Sequence, residues 1–463
     1  MEKVQTAMCG VFLQLVLAVW FSLASGPVGS DHPFPAARIS RGAYIAWREH
    51  IVDDGGVAGE RILGADGLAV GDLDRDGFID VIAVHEDSSH VRAVFGGPIE
   101  VRRQPGWSGS LTLGKGPLVG DCEDVSIGDL DGNGWDDVAV ACERGHVVVF
   151  FNLGRPREHS GWLPVIVQAT RGRGSWIRLA VVDLDGDGHN ELVAANKGGT
   201  SVSILYPGAQ PRNGREWTEK VVWRCRTPIN VRPVDLDGDG TLELVAASRG
   251  EKRIVCLDRE RDTWRTIPIY SGSNPPSEGF MMQFIDLDRD GRLDIITEED
   301  HGGRVFWLQQ PARMDGGRWQ LHLIGDVSPD WATGLGLADI DGDGQKDLIV
   351  GGYSAGPRLH EPAVIRPSDR CGCLVWFKQP ERPTELWIRY PISRRRRAMY
   401  DMFIPTDLNE DGLVDFLTTR GNSGAFDGVI WIEQIRSTRP CPAFFRARAT
   451  DSPEVPWPSR ERR

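Results

Sequence analysis

The chain has 463 residues, 40% of them hydrophobic, with 55 Gly, 29 Pro and a formal net charge of -13. That length suits two or three ordinary domains or one large repeat domain, and the turn-rich composition favours many short strands over long helices. The acidic balance argues against nucleic acid as the main partner.

At the N-terminus, Lys3 precedes an apolar run from Met8 to Ala24, and small residues at Ser22 and Ala24 suit signal-peptidase cleavage. The run lies at the bottom of the length range for a spanning helix, which favours a cleaved signal over a retained anchor. The expectation is a signal peptide over 1–24, a linker over 25–42, and a secreted, periplasmic or cell-surface protein with no stable membrane insertion after cleavage. Loss of Cys9 with the signal leaves Cys122, Cys142, Cys225, Cys256, Cys371, Cys373 and Cys441. Their spacings form no zinc pattern, so they read as isolated structural cysteines with one or two disulfides.

From Asp72 onward one segment recurs. DLDRDGFID at Asp72 is followed by DLDGNGWDD at Asp129, DLDGDGHNE at Asp183, DLDGDGTLE at Asp235, DLDRDGRLD at Asp286, DIDGDGQKD at Asp339 and DLNEDGLVD at Asp407. An apolar strand follows each copy (VIAV after the first), then a β-rich stretch such as VRAVF from Val91. Each unit then reaches a tryptophan-led strand at Trp107, Trp162, Trp217, Trp264, Trp319 or Trp387. That makes six tryptophans for seven loops. The seventh is Trp47, ahead of the first loop, so the last unit borrows its fourth strand from the start of the chain. Closing a ring of blades in this way avoids exposed sheet edges. The predicted fold is all-β, a seven-bladed β-propeller of four-stranded blades over 43–435, with a disordered Pro- and Arg-rich tail over 436–463.

The spacing within each loop is that of a cation site. Acidic or amide side chains occupy positions one, three, five and nine, glycine at position six permits a sharp bend, and the carbonyl of position seven adds an oxygen. These positions, with seven included, are Asp72, Asp74, Asp76, Phe78 and Asp80 in the first loop. They are Asp129, Asp131, Asn133, Trp135 and Asp137 in the second, and Asp183, Asp185, Asp187, His189 and Glu191 in the third. The fourth has Asp235, Asp237, Asp239, Thr241 and Glu243; the fifth has Asp286, Asp288, Asp290, Arg292 and Asp294. The sixth has Asp339, Asp341, Asp343, Gln345 and Asp347, and the seventh Asp407, Asn409, Asp411, Leu413 and Asp415. Two carboxylates about 5 Å apart repel by roughly 3 kcal/mol at an effective dielectric of 20, so four in one loop call for a cation. Hard oxygen ligands in this number suit Ca²⁺ better than Mg²⁺. Up to seven calcium ions would bring about +14 charges, offsetting most of the formal -13. Asn133 and Asn409 predict looser binding in their loops.

These loops resemble the FG-GAP/VCBS repeat family, including the calcium-binding blades of integrin α-subunit propellers. The resemblance implies the propeller fold, calcium in the loops and an extracytoplasmic location. Similar propellers serve as lectins, as adhesion heads, or as polysaccharide lyases and sugar dehydratases. The Phe-Gly and Gly-Ala-Pro signatures are only vestigial here, as at Val94–Pro98, so an integrin-type adhesive role is not implied, and the fold does not choose among the rest.

The metal loops share one face. The turns between strands 2 and 3 and the links between blades lie on the other, where the chain varies most. Candidate ligand-binding residues on that face are Glu86, His90, Trp176, Glu298, Glu299, Asp300, His301, Trp331 and Tyr400, together with Glu143, His146, Lys197 and Arg249. A long insertion in unit six, between Val350 and Cys373, carries Tyr353, His360 and Glu361. Arg394–Arg397 read as a solvated link, and Cys441 as a tether to the Cys371/Cys373 loop. The leading expectation is a binding module for an extracellular carbohydrate or protein. The alternative is a polysaccharide- or sugar-acting enzyme of lyase or dehydratase type, although no nucleophile motif, phosphate loop or cofactor fingerprint is present.

Overall fold

Six repeat units each fold as one four-stranded antiparallel sheet, and a seventh blade, with two short extra strands on its outer edge, closes the ring. The computed structural model describes residues 33–39, 42–98, 107–261, 263–272, 277–314, 316–354 and 365–458. The signal run and the Trp47-distal part of the linker up to His32 lie outside the described residues, as do His360 and Glu361. The described residues all belong to one unit, Pro33–Arg463. None of their helices is long and apolar enough to cross a membrane.

Blade 1 shows the plan: strands Ala65–Gly71, Asp80–His85, His90–Phe95 and Gly109–Lys115 pair in that order. From blade 1 to blade 7 the first strands pack against one another in turn, and the second strand of blade 7 meets the first strand of blade 1. Strand 2 is buried along its whole length in blades 1 to 4. A sheet covered on both faces needs no polar alternation, which is why VIAV, VAVA and LVAA read as continuous apolar runs. Position two of each loop is the anchor between loop and core, with Leu73, Leu130, Leu184, Leu236, Leu287, Ile340 and Leu408 all buried.

Blade 7 is the composite one. Phe403–Thr406, Asp415–Arg420 and Gly428–Ser437 supply three strands, and Tyr44–Asp54 supplies the fourth. The closing pair runs from Tyr44↔Ser437 to Asp54↔Gly428, with Trp47 opposite Gln434 and almost wholly buried. A buried bidentate pair ties the closing strand to blade 1: Arg92 Nε donates to Asp53 Oδ2 at 2.9 Å, and Nη2 to Oδ1 at 3.1 Å. Ring closure through the chain ends stands as the sequence predicts.

The tail does not lie loose over its described length. Phe444–Phe445 adds beside Trp47 and Arg48 as a parallel strand, and Ala37–Arg38 pairs on the same strand. Beyond it the chain crosses to blade 6. Asp451 receives Arg395 and Arg420, Val455 N–H donates to the Arg394 carbonyl at 2.7 Å, and the Trp457 ring stacks under Arg389 at 4.4 Å. Arg394 and Arg395 are therefore fully buried rather than a solvated link. Arg394 forms a bidentate pair with Asp330, and Arg395 donates to Glu49. The expected disulfides are not formed: all seven described cysteines are free thiols, and Cys441 makes no tether to Cys371 or Cys373.

Candidate functional site

On the loop face the same geometry appears seven times. The position-six glycine of every loop sits at φ between +79° and +89°, a region costly for any residue with a Cβ. Its N–H donates to Oδ2 of the first aspartate, at 2.7 to 3.0 Å in all seven. In loop 1, Asp74 Oδ1 accepts from Asp76 N–H and Asp76 Oδ1 from Phe78 N–H, which folds the carboxylates inward. Three carboxylate oxygens then lie within 4.8 Å of one another at Asp72/Asp74/Asp80, Asp129/Asp131/Asp137, Asp183/Asp185/Glu191, Asp235/Asp237/Asp239 and Asp286/Asp288/Asp290.

Position nine has a second job. Asp80 accepts from Leu73 N–H at 2.9 Å and from Gly96 N–H at 2.7 Å, so one side chain ties its own loop to the end of strand 3. Asp137 does the same with Leu130 and Asn152, and Asp294 with Leu287 and Gln310. In blade 3 the residue after strand Ser201–Tyr206 is Pro207, which has no N–H to give, and Glu191 bonds Leu184 N–H. Burial pushes these carboxyls up: to about 6 at Asp80 and Asp294, about 7 at Glu243, Asp347 and Asp415, and about 8 at Asp137. A cation beside them pulls such values back down.

The residues present fit a hard cation. Asp288 Oδ1, Asp341 Oδ1 and Asp347 Oδ2 are buried carboxylate oxygens with no hydrogen-bond partner. Basic side chains approach the outer oxygens instead: Arg157 reaches Asp74 and Asp76, Arg212 reaches Asp131, and Lys378 reaches Asp341 Oδ2 and Asp343 Oδ2. A further element was not visible in the repeat. The amide residue closing strand 3 donates its side-chain N–H to the position-two carbonyl of the preceding blade: Asn152 to Leu73, Gln310 to Leu236, Gln379 to Leu287 and Gln434 to Ile340. These amides recur only in blades 2, 5, 6 and 7, at uneven distances from their loops, so spacing alone does not reveal them.

The opposite face has no such repetition. Six residues after position nine, where strand 2 turns into strand 3, stand Glu86, Glu143, Lys197, Arg249, Asp300, Tyr353 and Gly421. A pocket of about 110 Å³ opens beside blades 4 to 6, lined by Arg249, Phe280, Glu298, Glu299, His301, Trp331 and Tyr353. His301 meets the Trp331 ring edge-on at 4.7 Å, Tyr353 approaches it at 6.1 Å, and the Arg370 guanidinium covers one face at 4.1 Å. Asp300 Oδ1 lies 2.5 Å from His301 Nδ1, Arg304 Nε donates to Glu299 at 2.9 Å, and Glu298 accepts from Met281 N–H at 3.2 Å.

The mouth of the central channel adjoins this pocket. In blades 1 to 6 the pairing of strands 1 and 2 slips, between Ala65/Leu68, Cys122/Asp124, Trp176/Arg178, Pro228/Asn230, Ser277/Met282 and Ala332/Leu335. Such bulges re-aim side chains, and here Asp66, Asp124, Arg178 and Asn230 fall at the slips. Burial pushes the Asp401 carboxyl up to about 7, against the pull of Arg178 and reinforced by Glu86. Burial, with Glu86 and Glu143 adding to it, drives Glu123 well above the usual range.

So the structure brings Glu298, Glu299, His301 and Trp331 into one pocket, with Asp300 beside it and Glu86 near the channel acids. It places others elsewhere. Trp176 is fully buried between blades, its indole N–H on the Thr170 carbonyl at 3.3 Å, and Tyr400 is fully buried near Arg395 and Arg420. Both read as surface aromatics only because their strands begin at that face; Trp176 packs among Val149, Val167, Leu179 and Leu205 between two blades, and Tyr400 shares a core cluster with Phe444 of the tail. His90 is buried against Glu60 at 3.6 Å, and His146 bonds the Leu118 carbonyl at 2.7 Å. Lys197 pairs with Glu143.

The FG-GAP-like repeat model matches residues 129–194, 183–246, 235–297 and 286–350, four overlapping copies that each span two of the loops described above. The chain is a β-propeller that carries FG-GAP-like repeats over residues 129–350. No curated protein matches it by sequence. Among solved structures, YCF48 from Cyanidioschyzon merolae is similar at 9% identity and a TM-score of 0.51, over 84% of this chain and 98% of that one. A chain of the S. cerevisiae core factor is similar at 10% identity and a TM-score of 0.50, over 87% of this chain and 62% of that one. At these identities the likeness shows the fold alone.

Proposed function

We propose that this FG-GAP propeller is a calcium-stabilised interaction module that works outside the cytoplasm and recognises a carbohydrate on the face opposite its calcium loops. Calcium would be held by the carboxylates of positions one, three, five and nine, and it would replace their mutual repulsion with attraction. The observation that carries the ligand reading is the pocket around Trp331. Aromatic rings there stand beside carboxylates and a guanidinium, so sugar C–H faces can stack while hydroxyls find both donors and acceptors.

A glycan array probed with the calcium-loaded protein tests this. Binding to a defined glycan class, weakened roughly tenfold or more by Trp331→Ala, supports the reading. Binding to a protein ligand alone, or glycan binding indifferent to Trp331, sinks it. The channel acids favour a second reading. Carboxyls that burial lifts toward neutral pH, as it does Asp401 and Glu123, are what acid/base chemistry on a polysaccharide uses. A lyase assay that follows new absorbance from an unsaturated product separates turnover from binding.

A further inference from the structure

Two cysteines face each other across one blade. Cys122 opens the first strand of blade 2, Cys122–Gly128, and Cys142 ends the second, Asp137–Cys142. They are direct partners in the antiparallel register, and the slip in that pairing begins only after Cys122. One position further out, Glu143 N–H donates to the Asp121 carbonyl at 2.8 Å, which makes Cys122/Cys142 a non-hydrogen-bonded pair. At such a pair the Cα atoms stand about 4.5 Å apart and both side chains leave the same side of the sheet. A disulfide spans Cα separations of roughly 4.4–6.8 Å.

Both thiols are fully buried in the core that blades 1 and 2 share, and both are reduced in the structure. Cys122 Sγ makes only weak contacts, 3.5 Å to the His85 carbonyl and 3.4 Å to the His90 carbonyl, which a bridge gives up at little cost. Among the described cysteines no other two oppose each other across strands: Cys256 faces Val245 and Ile267, and Cys373 faces Arg394. The chain between Cys122 and Cys142 carries the second acidic loop, Asp129–Asp137.

We propose that Cys122 and Cys142 are a disulfide site whose bridge joins strands 1 and 2 of blade 2 and staples the hairpin that carries the second acidic loop. Each thiol gives up its hydrogen and the S–S bond forms. The two electrons and two protons reduce one molecule of oxidised glutathione, or an equivalent disulfide, to two thiols. Burial pushes both cysteines up, so the folded protein offers no thiolate there and the exchange takes place before blades 1 and 2 close. The site is a property of the fold and stands whichever ligand the mouth face takes.

Peptide mapping tests it. The full chain is unfolded in urea, refolded with calcium in a mixture of reduced and oxidised glutathione, alkylated, and digested without reduction. The expected result is one peptide pair joined through Cys122 and Cys142, with both cysteines escaping the alkylating agent. The bridged protein should melt roughly 2–5 °C above protein refolded in reductant at the same calcium, and the double variant Cys122→Ala/Cys142→Ala should show no such difference. Alkylation of both thiols in the refolded protein, or a bridge from either to another cysteine, overturns the site. A bridge that leaves the melting temperature unchanged overturns the staple, as does a redox-dependent shift that persists in the double variant. Where refolding yields little soluble protein, the same map on native protein purified without reductant from an oxidising secretory compartment decides.

Discussion

On the loop face, seven glycines hold nearly one backbone angle and seven position-nine carboxylates are buried. On the mouth face, the residue six places after each of those carboxylates changes from Glu86 to Lys197 to Tyr353 around the ring. The same strands build both faces. A geometry repeated seven times serves something every blade needs, namely a fixed connection from loop to core. Side chains that differ blade by blade around one cavity make an asymmetric surface, which is what a specific ligand requires.

The largest expected effect is calcium removal. A site saturated a hundredfold above its Kd adds about 2.7 kcal/mol, so chelation should lower the melting temperature by roughly 10 °C or more in calorimetry. An unchanged curve would leave the loop face without its proposed ion. Next comes the tail, which belongs to neither face's pattern. Asp451→Ala leaves Arg395 and Arg420 with Glu49 as their remaining shared carboxylate, and removing one member of a buried ion cluster of this kind costs about 3–5 kcal/mol, measurable by urea unfolding at fixed calcium.

The tail also predicts a pH dependence. Burial works to raise Asp451, but the Arg420 and Arg395 guanidiniums outweigh it and hold the carboxyl down at about 2. A depressed folded value means the contribution is present above the ordinary carboxylate range, near 4, and is lost as pH falls toward 2. Native protein should therefore lose more stability across that acid window than Asp451→Asn does.

Smaller effects sharpen the contrast between the faces. Gly188 holds φ +87°, so Gly188→Ala should cost about 1–2 kcal/mol and weaken the calcium response of one loop, as read by calcium titration. Gln310→Met removes the amide bond to the Leu236 carbonyl and should cost about 1 kcal/mol. Neither should alter ligand binding on the mouth face. If either does, the two faces are coupled and the division drawn here fails.

Much of this was legible in the sequence because the repeat is chemical. An Asp-x-Asp-x-Asp-Gly spacing needs one backbone conformation, and Trp47 could be assigned to the last blade by counting. Trp176 and Tyr400 are buried against expectation because strand position says which end of a blade a residue occupies, not whether a neighbouring blade or a returning tail packs on it. Arg394 and Arg395 looked solvated because their partners, Asp330, Glu49 and Asp451, are distant in sequence, as is the amide that links Gln310 to Leu236.

The sequence by itself determined the number of blades, the closure of the ring and the place of the acidic loops, since each follows from short-range spacing repeated along the chain. Only the tertiary structure decided that the tail is a buried clasp across blades 6 and 7. It alone set Glu298, His301, Trp331 and Tyr353 around one pocket. Those arrangements depend on which blades the ring makes neighbours, and on burial that no local pattern records.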